Sequence, residues 1–205
     1  GDRCILLSEN RPEWLISDLA IMNAGGVTVP LFTTYSENDY KYIINDCKSK
    51  VCIVSNKEQF KKIKKYLPNE IILISIDKFD QNIFCFEEII EKSLNDNFLE
   101  MDQPENLYNK NIKRNDLACI IYTSGTTGNP KGVMLTHQNL ISNMQGIYNL
   151  IGFTTNDTFL SFLPLSHVFE RMGGHFTAFS NGCTVYYAES IETVPDNLRE
   201  AKPTI

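Results

Sequence analysis

The chain has 205 residues, of which 42% are hydrophobic and 21% charged, a composition typical of globular domains that bury an apolar core. Its 25 acidic and 19 basic residues give a formal net charge of −6, which argues against nucleic-acid binding because that function needs a basic surplus. No apolar run reaches the ~18 residues that a transmembrane helix needs, and the opening Gly1-Asp2-Arg3-Cys4 does not have the composition of a signal peptide.

The six cysteines are scattered along the chain and form no Cys-x-x-Cys pair. We therefore expect neither a zinc site nor a disulfide framework. Two of them, Cys52 and Cys119, lie in strand-like runs and are predicted to be buried as small apolar side chains. Unpaired thiols are typical of an intracellular, reducing compartment, which is the predicted location.

The first half of the chain alternates apolar runs with segments of helical periodicity. Expected caps begin the helices: Asn10 with Pro12 for the first, the box of Ser36 and Asp39 for the second, and Asn56 for the third. Continuous apolar strands are predicted at 4–7, 27–32, 51–54 and 71–76. Because such strands are buried on both faces, the pattern predicts an α/β fold of mostly parallel sheets flanked by helices.

The chain is predicted to contain two units. Residues 1–94 form a first α/β subdomain, which ends in a helix at 84–94, and residues 116–205 form a second. Between them, residues 95–115 are rich in asparagine and acidic side chains and contain Pro104, so an irregular connection is expected.

The stretch Tyr122–Gly132, with the sequence YTSGTTGNPKG, follows a predicted strand at 117–121 and precedes a predicted helix that carries Leu140 and Met144. Glycines let the backbone approach an anion, amide N–H groups point at it, and a lysine adds positive charge. This composition, placed between a strand and a helix, predicts a phosphate-binding loop. Its candidate ligands are Thr123, Ser124, Gly125, Thr126, Thr127, Gly128 and Lys131.

The loop does not have the spacing of the common phosphate loop of NTPases. Pro130 stands five residues after Gly125 and has no N–H to donate, and Lys131 is followed by Gly132. Hydroxyl groups must therefore share the anion-binding work with the amides. The alternative interpretations are a flexible linker and, for Lys131, a solvated side chain.

A second segment, Leu163–Arg171 with the sequence LPLSHVFER, follows a predicted strand at 158–163. It places His167 at the carboxyl edge of a sheet, where open α/β folds bind ligands. The alternative is a histidine that caps or packs at a helix start. Glu170 and Arg171 are expected to form a structural ion pair, and His175 is expected to be exposed or packed.

The run YTSGTTGNPKGVMLTH resembles the phosphate-loop signature of the adenylate-forming, or AMP-binding, enzymes, which include acyl-CoA synthetases, peptide-synthetase adenylation domains and luciferases. Pro164-Leu165-Ser166-His167 is similar to a second motif of that family. Phe169-Glu170-Arg171 resembles the long-chain fatty acyl-CoA synthetase branch. The resemblance implies that the chain is part of the large N-terminal domain of an adenylate-forming enzyme.

The resemblance also implies a two-step reaction. A long-chain fatty acid would react with ATP to give an acyl-adenylate and pyrophosphate, and coenzyme A would then displace AMP. ATP, Mg²⁺ and coenzyme A are the implied cofactors and co-substrates. In that scheme Thr123 to Gly128 and Lys131 would hold the ATP phosphates, His167 would shape the acyl and adenylate pocket as the catalytic-site residue, and the metal ligands are not assigned.

The family's Tyr-Gly-x-Thr-Glu motif, ribose-binding aspartate and C-terminal catalytic lysine have no counterpart in the sequence. We therefore expect a fragment that by itself completes neither adenylation nor thioester formation. Open alternatives are an adenylate-forming ligase for another carboxylate and a non-catalytic nucleotide- or lipid-binding module. Peripheral membrane contact is a further expectation, from the basic run at 61–65, which is alternatively a solvated helix face.

Overall fold

The computed structural model describes residues 1–95, 111–123 and 128–205. The strands are β1 (Arg3–Leu7), β2 (Val27–Leu31), β3 (Val51–Val54), β4 (Ile72–Ser75), β5 (Phe84–Cys85), β6 (Leu117–Thr123), β7 (Lys131–Thr136), β8 (Thr158–Ser161) and β9 (Thr184–Tyr187). The α-helices are α1 (Pro12–Asn23), α2 (Glu37–Cys47), α3 (Lys57–Ile63), α4 (Phe86–Asn95), α5 (His137–Ile151), α6 (Thr177–Ser180) and α7 (Val194–Ala201). A short 3₁₀ turn follows α3 at Lys64–Tyr66, and a π-helix at Glu170–Phe176 precedes α6.

Local side-chain chemistry accounts for where the helices begin. Ser36 and Asp39 form the predicted capping box at the start of α2. The Asn56 side chain accepts hydrogen bonds from the amides of Glu58 and Gln59, which confirms it as the cap of α3. The expectation that Asn10 caps α1 is wrong, because the cap position is Arg11, without a side-chain hydrogen bond.

Seven strands form the main sheet, in the order β5-β4-β3-β1-β2-β6-β7. All neighbouring pairs are parallel except β6 and β7, which confirms the predicted mostly parallel α/β class. Ile5, Leu6 and Leu7 of the central strand β1 are fully buried, so helices cover the sheet on both sides. Side chains of α2 and α3 pack on Ile5 and Leu7, whereas Trp14 of α1 packs on Leu6.

The second sheet contains only β8 and β9, which pair in parallel. The sheets therefore do not divide at the predicted connection, since β6 joins the main sheet through the pairing of Thr28 with Cys119. The subdomain bounds at 1–94 and 116–205 stay a prediction, and most of the connection at 95–115 falls outside the described residues. Across the part of the chain that the structure describes, no helix combines the length and the apolar content needed to cross a membrane.

The prediction that the glycine-rich loop leads directly into a helix is wrong. Lys131–Thr136 forms β7, which runs antiparallel to β6, and only then does α5 begin at His137. The loop therefore joins two strands of a hairpin. The short run from Val133 to Leu135 carries no helical or strand periodicity of its own, and it becomes a strand because β6 offers a free edge to pair with.

Candidate functional site

A cavity of about 350 Å³ opens at the carboxyl ends of β2 and β6. Carboxyl ends of parallel strands are where open α/β folds bind ligands. The cavity is lined by Phe32, Thr34, Tyr35, Ile121, Tyr122, Thr123, His167 and Val168. It therefore brings together the start of the glycine-rich loop and the predicted His167 segment, which lie far apart in the sequence.

The β6–β7 hairpin holds the two ends of the loop opposite each other. Thr123 is the last residue of β6 and pairs directly with Lys131, the first residue of β7. Both side chains are exposed, and the pairing places the backbone of Lys131 at the base of the loop. A compact ammonium on a flexible stem suits a point contact with phosphate.

The remaining loop residues are only partly described. Gly128 adopts φ = +100°, a backbone conformation that side chains rarely tolerate, which explains a glycine at this point. Ser124, Gly125, Thr126 and Thr127 lie outside the described residues. Their assignment as phosphate ligands, and that of Thr123, Gly128 and Lys131, stays a prediction.

Gly132, the residue after Lys131, faces Tyr122 across the hairpin. A Cβ added at Gly132 would lie 2.8 Å from the side chain of Ile120 and 3.2 Å from the Tyr122 ring. The absence of a side chain at this position is therefore what allows the Tyr122 ring to lie over β7. The Tyr122 hydroxyl also donates to Asp46 of α2 at 2.6 Å, which ties the hairpin to that helix.

His167 lies at the rim of the cavity, with its ring 6.2 Å from the Phe32 ring in an edge-on arrangement. Its Nδ1 accepts a hydrogen bond from the Phe169 amide at 3.2 Å, so in the neutral ring Nε2 carries the proton. The histidine thus makes a local contact at a helix start and also lines the cavity. The structure thus places His167 at the cavity, and its catalytic role stays a prediction.

The backbone before His167 is held by a side chain from the N-terminal region. The Asn10 amide donates to the carbonyl of Leu163 at 2.6 Å, and its oxygen accepts from the amide of Leu165 at 2.9 Å. Asn10 therefore clamps the segment that carries His167. Sequence reasoning missed this role because it assigned Asn10 to the helix that follows it.

The expected ion pair between Glu170 and Arg171 is wrong. Arg171 makes a bidentate pair with Asp18 of α1, with distances of 2.8 Å and 2.6 Å, and neither side chain is exposed to solvent. Neighbouring residues of a helix point in different directions, so Glu170 instead packs against Gly174. Burial raises the pKa of the Glu170 carboxyl.

His175 is packed, in agreement with one of its two predicted states. Its Nε2 shares a hydrogen bond with the Tyr187 hydroxyl at 2.6 Å. Burial lowers the pKa of His175 to about 4, so the ring stays neutral in the folded protein at physiological pH. Within residues 1–95, 111–123 and 128–205, no group of three His, Cys, Asp or Glu side chains could hold a metal ion.

Comparison with known proteins identifies the family of the chain. The family model described as AMP-binding enzyme matches residues 1–205. The long-chain-fatty-acid–CoA ligase 5 of Rattus norvegicus is 33% identical over 98% of this chain, and the fatty acyl-CoA synthetase A of Dictyostelium discoideum is 32% identical over all of it. In both cases the chain spans 31% of the relative's own length.

Solved structures show the same fold. A natural red-emitting luciferase from Phrixothrix hirtus superimposes with a TM-score of 0.85 at 20% identity, over 98% of this chain and 39% of that one. At this identity the similarity concerns the fold alone, whereas the family match rests on the whole length of the chain. The chain, in which Thr123 at the start of the glycine-rich loop and His167 line one cavity, belongs to the AMP-binding enzyme family.

Proposed function

We propose that the protein containing this chain activates a long-chain fatty acid with ATP and then transfers the acyl group to coenzyme A. The observation that carries the proposal is the cavity at which Thr123, the partner of Lys131 in the hairpin, meets His167. Relatives named as long-chain-fatty-acid–CoA ligase and fatty acyl-CoA synthetase support the choice of substrate.

The first step would form a bond between a carboxylate oxygen of the fatty acid and the α-phosphorus of ATP. The bond from that phosphorus to the bridging oxygen breaks, and pyrophosphate leaves with its electron pair. Such chemistry depends on positioning and on neutralising charge. The Lys131 ammonium and the amides and hydroxyls of the loop would do this at the β- and γ-phosphates.

The second step would bring the sulfur of coenzyme A to the acyl carbonyl, with AMP as the leaving group. His167 would lie at the acyl and adenylate end of the cavity, opposite the phosphate end. Its contact with the Phe32 ring gives that end an aromatic wall. An aromatic and aliphatic wall suits an apolar chain, and Val168 adds to it.

Mg²⁺ is part of the proposal only as a companion of ATP. The residues that the structure describes offer no cluster of three acidic, histidine or cysteine side chains, so the fit of a protein-held ion is poor here. Mg²⁺ commonly keeps waters and binds phosphate oxygens of the substrate. We assign no residue of this chain as its ligand and no step to it.

Peripheral membrane contact and an intracellular, reducing location stay proposals. Of the basic run at 61–65, Lys62 donates to the Thr33 carbonyl at 2.9 Å and Lys65 pairs with Glu37 at 2.6 Å. These contacts favour a solvated helix face over a lipid-binding patch. Buried thiols in the strands, such as Cys52 and Cys119, support a reducing location.

The test is ATP–pyrophosphate exchange by the full-length protein with palmitate, benzoate or acetate as the acid. We expect palmitate to stimulate exchange most, and we expect Lys131→Ala to raise the KM for ATP by about tenfold, the loss of one charged contact. The matched control is Lys61→Ala, which removes an exposed lysine that does not line the cavity and should leave the KM unchanged.

Two outcomes would redirect the proposal. Exchange with benzoate or acetate but not with palmitate would indicate a ligase for another carboxylate. ATP binding without exchange for any acid would indicate a non-catalytic nucleotide-binding module.

A further inference from the structure

The backbone at the start of the glycine-rich loop is held by a side chain from another part of the fold. Tyr35 lies in the connection between β2 and α2, and its hydroxyl donates to the carbonyl of Tyr122 at 2.8 Å. Tyr122 directly precedes Thr123, where β6 ends and the loop begins. No sequence motif points to Tyr35, which lies 87 residues from its partner.

The sheet geometry explains why a side chain is used at this point. β2 and β6 pair in parallel with Thr28 opposite Cys119, so three residues further along Leu31 lies level with Tyr122. Leu31 is the last residue of β2. Because β2 ends at this level, the Tyr122 carbonyl of β6 takes its hydrogen bond from a side chain, the Tyr35 hydroxyl.

Tyr35 is itself held in place by its neighbours. Its ring packs edge-on against Phe32 at 5.1 Å and against Tyr40 at 6.0 Å. Burial raises the pKa of Tyr35 to about 12, so the phenol keeps its proton and remains a donor at physiological pH. The Tyr122 ring is fixed separately by its hydrogen bond to Asp46.

We propose that Tyr35 is a positioning residue for Thr123, because its hydroxyl fixes the backbone from which Thr123 leaves β6. A Thr123 backbone that is already held in place loses less conformational entropy when a triphosphate binds. Tyr35 would thereby increase the affinity for ATP without contacting the reacting atoms. The inference rests on the proposed function for its ligand.

The experiment compares Tyr35→Phe with Tyr40→Phe in the full-length protein. Both variants keep the ring and remove one hydroxyl that donates to a backbone carbonyl at 2.8 Å, Tyr122 in the first case and Phe32 in the second. We expect Tyr35→Phe to raise the KM for ATP by about 3- to 10-fold, the effect of one hydrogen bond. The kcat and the KM for palmitate should change less than about twofold, because the lost interaction acts equally on bound ATP and on the transition state.

Tyr40→Phe should lower the thermal midpoint by a similar amount to Tyr35→Phe and leave the KM for ATP unchanged. A purely structural role for Tyr35 predicts instead that both variants affect all kinetic constants alike. An unchanged KM for ATP in Tyr35→Phe, or an equal rise in Tyr40→Phe, would overturn the inference.

Calorimetric titration with ATP separates this inference from the proposed function. If the wild-type protein binds ATP but exchanges no pyrophosphate with any acid, the proposed function fails, and the inference is judged on the Kd alone. It then requires a Kd for ATP that is raised about 3- to 10-fold in Tyr35→Phe and not in Tyr40→Phe. A wild-type protein that binds no ATP would overturn both.

Discussion

Buried ionisable side chains show how single residues are accommodated in this fold. Arg171 is fully buried and is neutralised by Asp18, with its guanidinium also 5.9 Å from the Trp14 ring. His175 is buried without a charged partner and is neutral beside the Tyr187 hydroxyl. Burying a charge is unfavourable, and the fold avoids an isolated buried charge in two ways: Arg171 is paired with an opposite charge, and His175 stays uncharged.

The neutral His175 makes stability depend on pH. Its pKa in the folded protein, about 4, lies below the value of 6.5 of a free histidine. As the pH falls from 6.5 towards 4, His175 binds a proton in the unfolded chain but not in the folded chain. The free energy of unfolding therefore falls by a few kcal/mol over this range. Thermal midpoints measured by scanning fluorimetry should decline over this range.

His175→Gln isolates the contribution of this ring, because glutamine can keep a hydrogen bond to Tyr187 and does not titrate. The variant should show a flatter decline of the thermal midpoint between pH 6.5 and 4 than the wild-type protein. An equal decline in both proteins would show that other groups control the acid sensitivity. The buried Glu170 acts in the opposite direction, since its raised pKa stabilises the fold as the pH falls.

At the scale of elements, the β6–β7 hairpin is the unit that presents the phosphate loop. Its register pairs Thr123 with Lys131 and Tyr122 with Gly132. The hairpin is the antiparallel edge of an otherwise parallel sheet, so strand pairing holds both ends of the loop. The choice between a phosphate-binding loop and a linker stays a prediction.

Gly132→Ala tests the packing of this hairpin. The added methyl group would lie 2.8 Å from the Ile120 side chain and 3.2 Å from the Tyr122 ring, so these side chains or one of the two strands must shift. Overpacking of this kind costs about 1–3 kcal/mol, and the displaced ring would disturb the loop. We expect a lower thermal midpoint together with a raised KM for ATP.

Gly146→Ala is the matched control, because a Cβ at this exposed helical position meets nothing within 4 Å. It should leave the KM unchanged and should raise the thermal midpoint slightly, as alanine favours helix. Equal kinetic constants for Gly132→Ala and the wild-type protein would show that the KM for ATP does not depend on the position of the Tyr122 ring.

At the scale of the whole molecule, polar contacts join the segments that follow β8 to the N-terminal part of the chain. Asn10 clamps the backbone on either side of Pro164, and Asp18 of α1 holds Arg171 of the π-helix. These partners are separated by about 150 residues in the sequence. They position the His167 segment at the cavity that β2 and β6 form.

The Asp18–Arg171 pair is expected to contribute strongly to this assembly. Asp18→Ala leaves a buried guanidinium without its counter-charge, which costs about 3–5 kcal/mol. The double variant Asp18→Ala/Arg171→Met should lose less free energy of unfolding than the sum of the losses caused by the two single substitutions. Denaturant titrations followed by Trp14 fluorescence measure these differences.

The surface pair of Asp196 and Arg199, in which both side chains are 78% exposed, is the control for that comparison. Asp196→Asn should not change the midpoint measurably, because exposed pairs are screened by water. A loss on Asp18→Ala no larger than that of the control would contradict the role of the buried pair.

The sequence by itself was sufficient for the α/β class, for most strand positions and for the caps at Ser36 and Asn56. These features depend on local periodicity and on side chains that bond to their own backbone within three residues. The glycine-rich loop and the His167 segment were likewise recognisable from their residues, because each is a continuous stretch.

Only the tertiary structure decided which distant residues meet. Lys131 lies in a strand because β6 offers it an edge, Arg171 pairs with Asp18 rather than with its neighbour, and the Tyr35 hydroxyl reaches the Tyr122 carbonyl. Local sequence patterns carry no information on such contacts, since they arise when parallel strands end at one edge and their connections converge there. The candidate site is built from these long-range contacts, and this is why its supporting residues were found only in the folded chain.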